Sequence, residues 1–167
     1  LHPQKNHDFL IDVFAEIKKK KPNAELILVG TGPLEEKVKS KVVEKGLSDC
    51  VHFLGNRKDM NRIYQAMDVF VFPSLFEGLG IVAIEAQAAG VPIVCSEGLP
   101  PETDITPIYQ KLLLSDGAEK WANVALEMAQ NLKAHTNMQQ YVIDAGFDMD
   151  ATAKYMESYY LNRWRTA

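Results

Sequence analysis

Apolar positions along the chain fall into two rhythms. Phe9, Leu10, Val13, Phe14 and Ile17 recur at the three- and four-residue spacing of one helix face. Asn6 stands where an N-cap belongs. Lys18 to Lys21 crowd the last turn, where the helix dipole favours cations. The second rhythm is a series of short unbroken apolar runs over 25–29, 51–54, 68–72 and 91–95, with a weaker one over 112–114. Runs this short, rich in Val, Ile and Phe and bounded by Gly, Pro or Asn, predict buried strands. Helices are expected between them over 33–45 (closed by Gly46), 59–67 and 81–89 (closed by Gly90). Two or three more finish the chain, one holding Trp121, Leu126 and Met128 and the last holding Tyr155, Met156, Tyr159, Tyr160 and Trp164.

Strands that alternate with helices and are apolar on both faces predict an α/β domain, a Rossmann-like doubly wound parallel sheet. Ligands of such folds sit at the carboxyl ends of the strands. The 167 residues suit a single domain. A formal net charge of −4 argues against a general nucleic-acid binder, though not against a local anion site. Cys95 closes an apolar run and is expected to be a buried free thiol, and no Cys/His cluster has zinc spacing. No run approaches the ~20 residues that cross a bilayer, and no signal peptide is seen, so the cytoplasm is the expected location. The chain opens at Leu1-His2-Pro3 with no initiator Met, which reads as a piece of a longer polypeptide.

Three glycine-bearing turns compete for the ligand. Gly30-Thr31-Gly32-Pro33 is followed by Glu35 and Glu36 in the first turn of a helix, where carboxylates would repel a pyrophosphate. A structural turn is the better reading there. Gly55-Asn56-Arg57-Lys58 offers backbone groups for a base or ribose and a cation for phosphate, or is simply a solvated turn. The third stretch, Glu77-Gly78-Leu79-Gly80-Ile81, opens a helix whose first turn carries no carboxylate. Its glycines admit a close ligand and its free N–H groups suit phosphate. Glu77 precedes that helix start, and Glu85 lies roughly 7 Å along the axis from it. Carboxylates accept from sugar hydroxyls, so a diphosphate with a hydroxylated ring at each end would fit. Two unrelated glutamates remain the other reading. Glu85, set among Ala83, Ile84, Ala86, Ala88 and Ala89 in a largely buried helix, is expected to be a buried carboxylate in need of partners.

At these residues the chain resembles the GT-B glycosyltransferases of family 4, also called group 1. Four segments carry the resemblance: Gln4 to Ile11, Leu28 to Leu34, Val51 to Arg57, and Phe72 to Gly80 continuing to Glu85 and Ala86, the last matching an E-x7-E signature. The resemblance implies that residues 1–167 are the C-terminal, donor-binding half of a GT-B fold. It implies that the first strand of that half, with its Gly-Arg, and the N-terminal acceptor domain are absent from this chain. By the same resemblance Glu77 would contact the donor sugar and Glu85 the ribose hydroxyls. Gly78, Leu79 and Gly80 would meet sugar and phosphates, with Ile81 beside the nucleoside. Lys5 would neutralise the diphosphate, and Gly55, Asn56 and Arg57 would form the base-binding turn.

The implied activity is retaining hexosyl transfer from a nucleotide-sugar, UDP-linked by preference, to a glycan or lipid-linked acceptor. The nucleotide-sugar is a co-substrate; no metal or other cofactor is expected, and no catalytic residue is assigned within this half. The segment Glu97 to Thr103 departs from the glycine-rich stretch of relatives and is similar to versions in capsule and exopolysaccharide enzymes of bacteria. Peripheral contact of the full-length protein with the inner face of the membrane is consistent with that. The alternatives are a nucleotide-sugar epimerase or phosphorylase of the same fold, and a non-catalytic binding module. A receiver-like domain is disfavoured, because Asp68 starts a strand instead of ending one. His2, His7, His52 and His135 are expected to be ordinary surface or core residues. The final aromatic helix is expected to pack the core, or else to cover the absent domain.

Overall fold

The computed structural model describes residues 1–131 and 135–166. Among these, the expected alternation is present. Strands β1 (Leu26–Leu28), β2 (Val51–Phe53), β3 (Phe70–Phe72), β4 (Ile93–Ser96) and β5 (Tyr109–Leu112) all pair in parallel. Parallel neighbours need a crossover, and helices supply it: α2 (Glu35–Glu44) joins β1 to β2, and α4 (Ile81–Ala88) joins β3 to β4. β4 is buried at every position, as a central strand covered on both faces must be.

Helix α1 (His7–Lys20) buries Leu10, Val13, Phe14 and Ile17 of the expected stripe and adds Ile11, while Phe9 is partly buried. Full burial of each such side chain stabilises by roughly 1.5–3 kcal/mol. The partner is α5 (Gly117–Asn131), where buried Trp121 meets the Phe9 ring edge-on at 5.5 Å. Asn6 holds the N-cap position by a different device from the one expected. Its side chain makes no capping bond; its backbone sits at φ 51°, ψ 45°, a left-handed conformation that asparagine adopts more readily than most residues.

Two further expectations are corrected. The fifth strand spans Tyr109–Leu112 and ends on the first residue of the leucine run, and Leu113 is exposed. The Leu113 N–H donates to the Asp116 carboxylate, and its carbonyl accepts from the Trp121 indole, which turns the chain out of the sheet. The last helix, α7 (Met149–Thr166), does not pack the core: Tyr155, Tyr159, Tyr160 and Trp164 are exposed, Trp164 at 85%. The short helices α3 (Met60–Tyr64) and α6 (Gln139–Asp144) complete the molecule.

The parallel sheet comes in two pieces, β1-β2 and β3-β4-β5. A cavity of about 1050 Å³ lies between them, lined by residues 26–31 along one strand and 68–73 along the other. Leu26 donates its N–H to the Cys50 carbonyl at 2.8 Å, and the Leu28 carbonyl accepts from Leu54 at 2.9 Å. Alternation along a parallel strand then turns the amides of Ile27 and Val29 away from β2, toward the cavity. Phe70 donates to the Pro92 carbonyl at 2.8 Å, so Val69 and Val71 likewise face away from β4. The opening residues cross the carboxyl ends of both pieces. The Leu1 carbonyl accepts from Leu34, and the Gln4 carbonyl accepts from Leu75.

Candidate functional site

The loop that leaves β3 is built on a chain of hydrogen bonds. Pro73 and Ser74 are fully buried. The Ser96 hydroxyl, at the end of β4, donates to the Ser74 carbonyl. The Ser74 hydroxyl donates to Glu77 Oε1 at 2.6 Å, and Lys5 Nζ donates to the same oxygen at 2.8 Å. The Glu77 N–H donates to the Gly98 carbonyl at 2.9 Å. The Glu77 side chain is thereby only 6% exposed, while that of Lys5 remains 31% exposed. A buried carboxylate is tolerable here because a cation and a hydroxyl compensate its lost hydration.

Gly80 ends the loop at φ 70° and stands at the N-cap of α4. That left-handed conformation suits glycine. Gly78, Leu79 and Ile81 are exposed, and the N–H groups of residues 78 to 82 donate to none of the described residues. Unpaired amides at a helix start carry partial positive charge, so this surface favours an anion.

Glu85 corrects the expectation of a buried carboxylate, because the residue is exposed. Helical geometry gives the reason. Ala83, Ile84, Ala86 and Gln87 are the buried positions of α4, and residue 85 points opposite to that arc. It is nevertheless not free: the Tyr64 hydroxyl donates to Glu85 Oε2 at 2.9 Å. Burial, then the neighbouring Glu85 carboxylate, raises the pKa of Tyr64. Of the two signature glutamates, Glu77 is therefore the sequestered one and Glu85 the open one.

The turn at Gly55 has its glycine at φ 60°, with the Gly55 carbonyl accepting from Gly30 at 2.7 Å. Thr31 Oγ1 lies 3.5 Å from Asn56 Oδ1. Arg57 is engaged locally, donating through Nε and Nη2 to the two Asp59 oxygens at 2.8 and 2.7 Å. Lys5, Thr31, Asn56, Arg57, Tyr64 and Val82 all line the large cavity, so the opening residues, the turn after Gly55 and α4 border one space. Glu77 and Glu85 lie on either side of the α4 start and share no hydrogen bond.

His7 lines the same cavity with a buried Nδ1 that has no partner among the described residues. Burial first, then the positive amino terminus, Lys5 and His2, push its pKa down to about 4. Both cysteines are buried and free, and burial pushes the Cys95 thiol up to about 11. No helix of the described residues is long and apolar enough to cross a membrane.

Four residues of this arrangement were given no role from the sequence: Ser74, Ser96, Gly98 and Tyr64. Gly98 had the best signal, since a glycine two residues past a strand often marks a close approach. A Cβ there would stand 2.4 Å from the Leu75 carbonyl oxygen and 2.6 Å from that of Ser74. The segment after Glu97, doubtful from sequence, thus buttresses the Glu77 loop.

The model of the family described as glycosyl transferases group 1 matches residues 1–131. EpsF of Bacillus subtilis is 32% identical over 149 residues, covering 88% of this chain and 39% of its own length. The GDP-mannose-dependent monoacylated alpha-(1-6)-phosphatidylinositol monomannoside mannosyltransferase of Corynebacterium glutamicum is 33% identical over 138 residues, or 77% of this chain and 35% of its own. Anabaena HepE, solved in complex with UDP-glucose, shares the fold with a TM-score of 0.74 at 23% identity, over 95% of this chain and 46% of its own. The chain therefore spans less than half the length of each of these relatives.

Proposed function

This chain belongs to the glycosyl transferases of group 1, and we propose that it is the donor-binding half of a retaining enzyme of that family. The α/β architecture with parallel sheets is that of GT-B glycosyltransferases. In our reading the diphosphate of a nucleotide-sugar rests on the unpaired amides of residues 78 to 82, with Lys5 on its flank. Glu77 meets the sugar. Glu85 receives the ribose hydroxyls, Ile81 lies beside the nucleoside, and Gly55, Asn56 and Arg57 face the base. UDP is the preferred carrier, the relatives having UDP- and GDP-linked examples between them.

The chemistry asked of this half is modest. As the bond from the anomeric carbon to the diphosphate breaks, negative charge grows on the leaving oxygen. Preorganised amides and a lysine stabilise it without a metal. A glycan or lipid-linked acceptor would be held by a second domain, in bacterial surface polysaccharide synthesis at the cytoplasmic face of the membrane. Half of a cleft transfers nothing, so this chain by itself is expected to bind donor and remain silent in turnover.

One observation supports the reading above the rest. Glu77, Ser74 and Lys5 form a preassembled knot beside the unpaired amides of α4. The test is calorimetric titration of the chain, and of a longer form with the second domain, with UDP- and GDP-sugars. Binding is expected, with a loss of about tenfold on Glu85→Ala, in keeping with about 1.5 kcal/mol for hydrogen bonds to a charged group. No binding of either sugar nucleotide by the longer form would overturn the assignment. Binding indifferent to Glu85→Ala would overturn the role given to that residue.

A further inference from the structure

Glu85 poses a problem that its own helix does not solve. It is exposed, on a side chain with several rotatable bonds, and an unrestrained carboxylate would lose conformational freedom on gripping a ligand. Tyr64 removes that freedom beforehand. Its ring is 97% buried, being 3% exposed, and packs in the cluster with Ala86 and Val91. Phe70 holds it edge-on with ring centroids 6.3 Å apart. The hydroxyl is thus a fixed point on the far side of α4, and a phenol has one proton to give. Glu85 Oε2 receives it at 2.9 Å; the alternative acceptor, the Val82 carbonyl, is at 3.4 Å. Glu85 Oε1 accepts from none of the described residues.

We infer that Tyr64 is a positioning residue for the nucleotide: its hydroxyl pins one Glu85 oxygen so that the other is presented to a vicinal ribose diol. The inference rests on the donor-site reading above. Discrimination between ribose and 2′-deoxyribose is then a property of the Tyr64–Glu85 pair, not of Glu85 alone. The buried phenol keeps its proton as donor through the physiological range, because burial and the adjacent carboxylate both oppose ionisation.

The experiment compares UDP with 2′-deoxy-UDP, and GDP with 2′-deoxy-GDP, by titration calorimetry on the full chain. The proteins are the parent, Tyr64→Phe, Glu85→Ala and the double variant. The parent is expected to favour the ribonucleotide. Tyr64→Phe keeps the ring and its packing, and is expected to lose roughly fivefold in ribonucleotide affinity, the worth of one hydrogen bond. Its 2′-deoxynucleotide affinity should fall less, within about twofold, because that ligand keeps only the 3′-hydroxyl of the diol being read. The double variant should be no weaker than Glu85→Ala, since the two residues act as a unit. Equal losses for ribo- and deoxyribonucleotides in Tyr64→Phe would reduce Tyr64 to a structural residue. So would a double variant that loses the sum of the two effects. A parent that discriminates through Glu85 while Tyr64→Phe discriminates equally well sinks this inference and leaves the donor reading standing. Where the chain alone binds nothing the same set is run on the longer form, and no nucleotide binding by that form sinks both.

Discussion

At the scale of single residues, the two glycines that flank Glu77 in space do different work. Gly98 lies where a methyl group would meet two backbone oxygens at 2.4 and 2.6 Å, and backbone cannot step aside as a side chain can. Gly98→Ala is therefore expected to cost about 2–3 kcal/mol, as overpacking commonly does, and to loosen the loop that carries Glu77. Gly78 faces open space, with nothing within 4 Å of an added Cβ. Gly78→Ala should leave stability within about 0.5 kcal/mol while weakening donor binding by narrowing the approach to the amides. Urea denaturation beside donor titration separates the two outcomes. Equal stability of Gly98→Ala and the parent would show that the loop is not clamped as described. The contrast also marks what was legible beforehand. Gly78, Gly80 and Glu77 announce themselves by local pattern, because a helix start and its loop are contiguous in sequence. The contacts of Ser96 with Ser74 and Tyr64 with Glu85 span 22 and 21 residues, and no periodicity carries such a pairing.

At the scale of elements, α4 is held by a side chain its amphipathic pattern would assign to solvent. Gln87 is fully buried and is the hub of the segment after β4. Its Nε2 donates to the Ala83 and Thr103 carbonyls at 3.0 and 2.9 Å. Its Oε1 accepts from the Thr106 N–H and hydroxyl at 3.1 and 2.8 Å. In the donor reading proposed above the start of α4 would face the ligand, and its placement depends on this tie. Gln87→Leu nearly conserves volume but strands the Thr103 carbonyl and both Thr106 donors. Each buried polar group left unpaired costs ~1–3 kcal/mol, so a total loss of roughly 3 kcal/mol is expected. The midpoint of denaturation should fall, with donor affinity falling after it. An unchanged midpoint would mean that water replaces the amide. The order of elements was readable because buried parallel strands are short apolar runs, whichever helix covers them. Their ends were less so. The fifth strand was misplaced onto 112–114 because leucine content there outweighed the single Asp116 that bends the chain away.

At the scale of the whole molecule, the parallel sheet stands as two pieces with open edges facing each other. Ile27, Val29, Val69 and Val71 present amides and carbonyls to a cavity of about 1050 Å³ whose walls are mostly apolar. Backbone groups so placed are costly unless paired or wet. The chain itself names an occupant. Leu1 is buried at the carboxyl end of the cavity, with its backbone against Gly32 and Leu34, and α1 runs back over the cavity through Leu10, Phe14 and Ile17. A strand running parallel to β1 and β3 and leading into Leu1 would complete a right-handed β-α-β unit with α1 and β1. We propose that the first strand of this half, which the donor-half reading places outside these 167 residues, is that strand. Hydrogen exchange tests this residue by residue. In the chain alone, the amides of Ile27, Val29, Val69 and Val71 should exchange faster than those of Leu26, Leu28, Phe70 and Phe72, which face paired strands. In a form extended upstream of Leu1 the two sets should become comparably protected, and thermal stability should rise. Two sets that differ in neither form would mean that the edges are closed in another way. Protection of all eight amides in the chain alone would mean that β1 and β3 meet directly in solution.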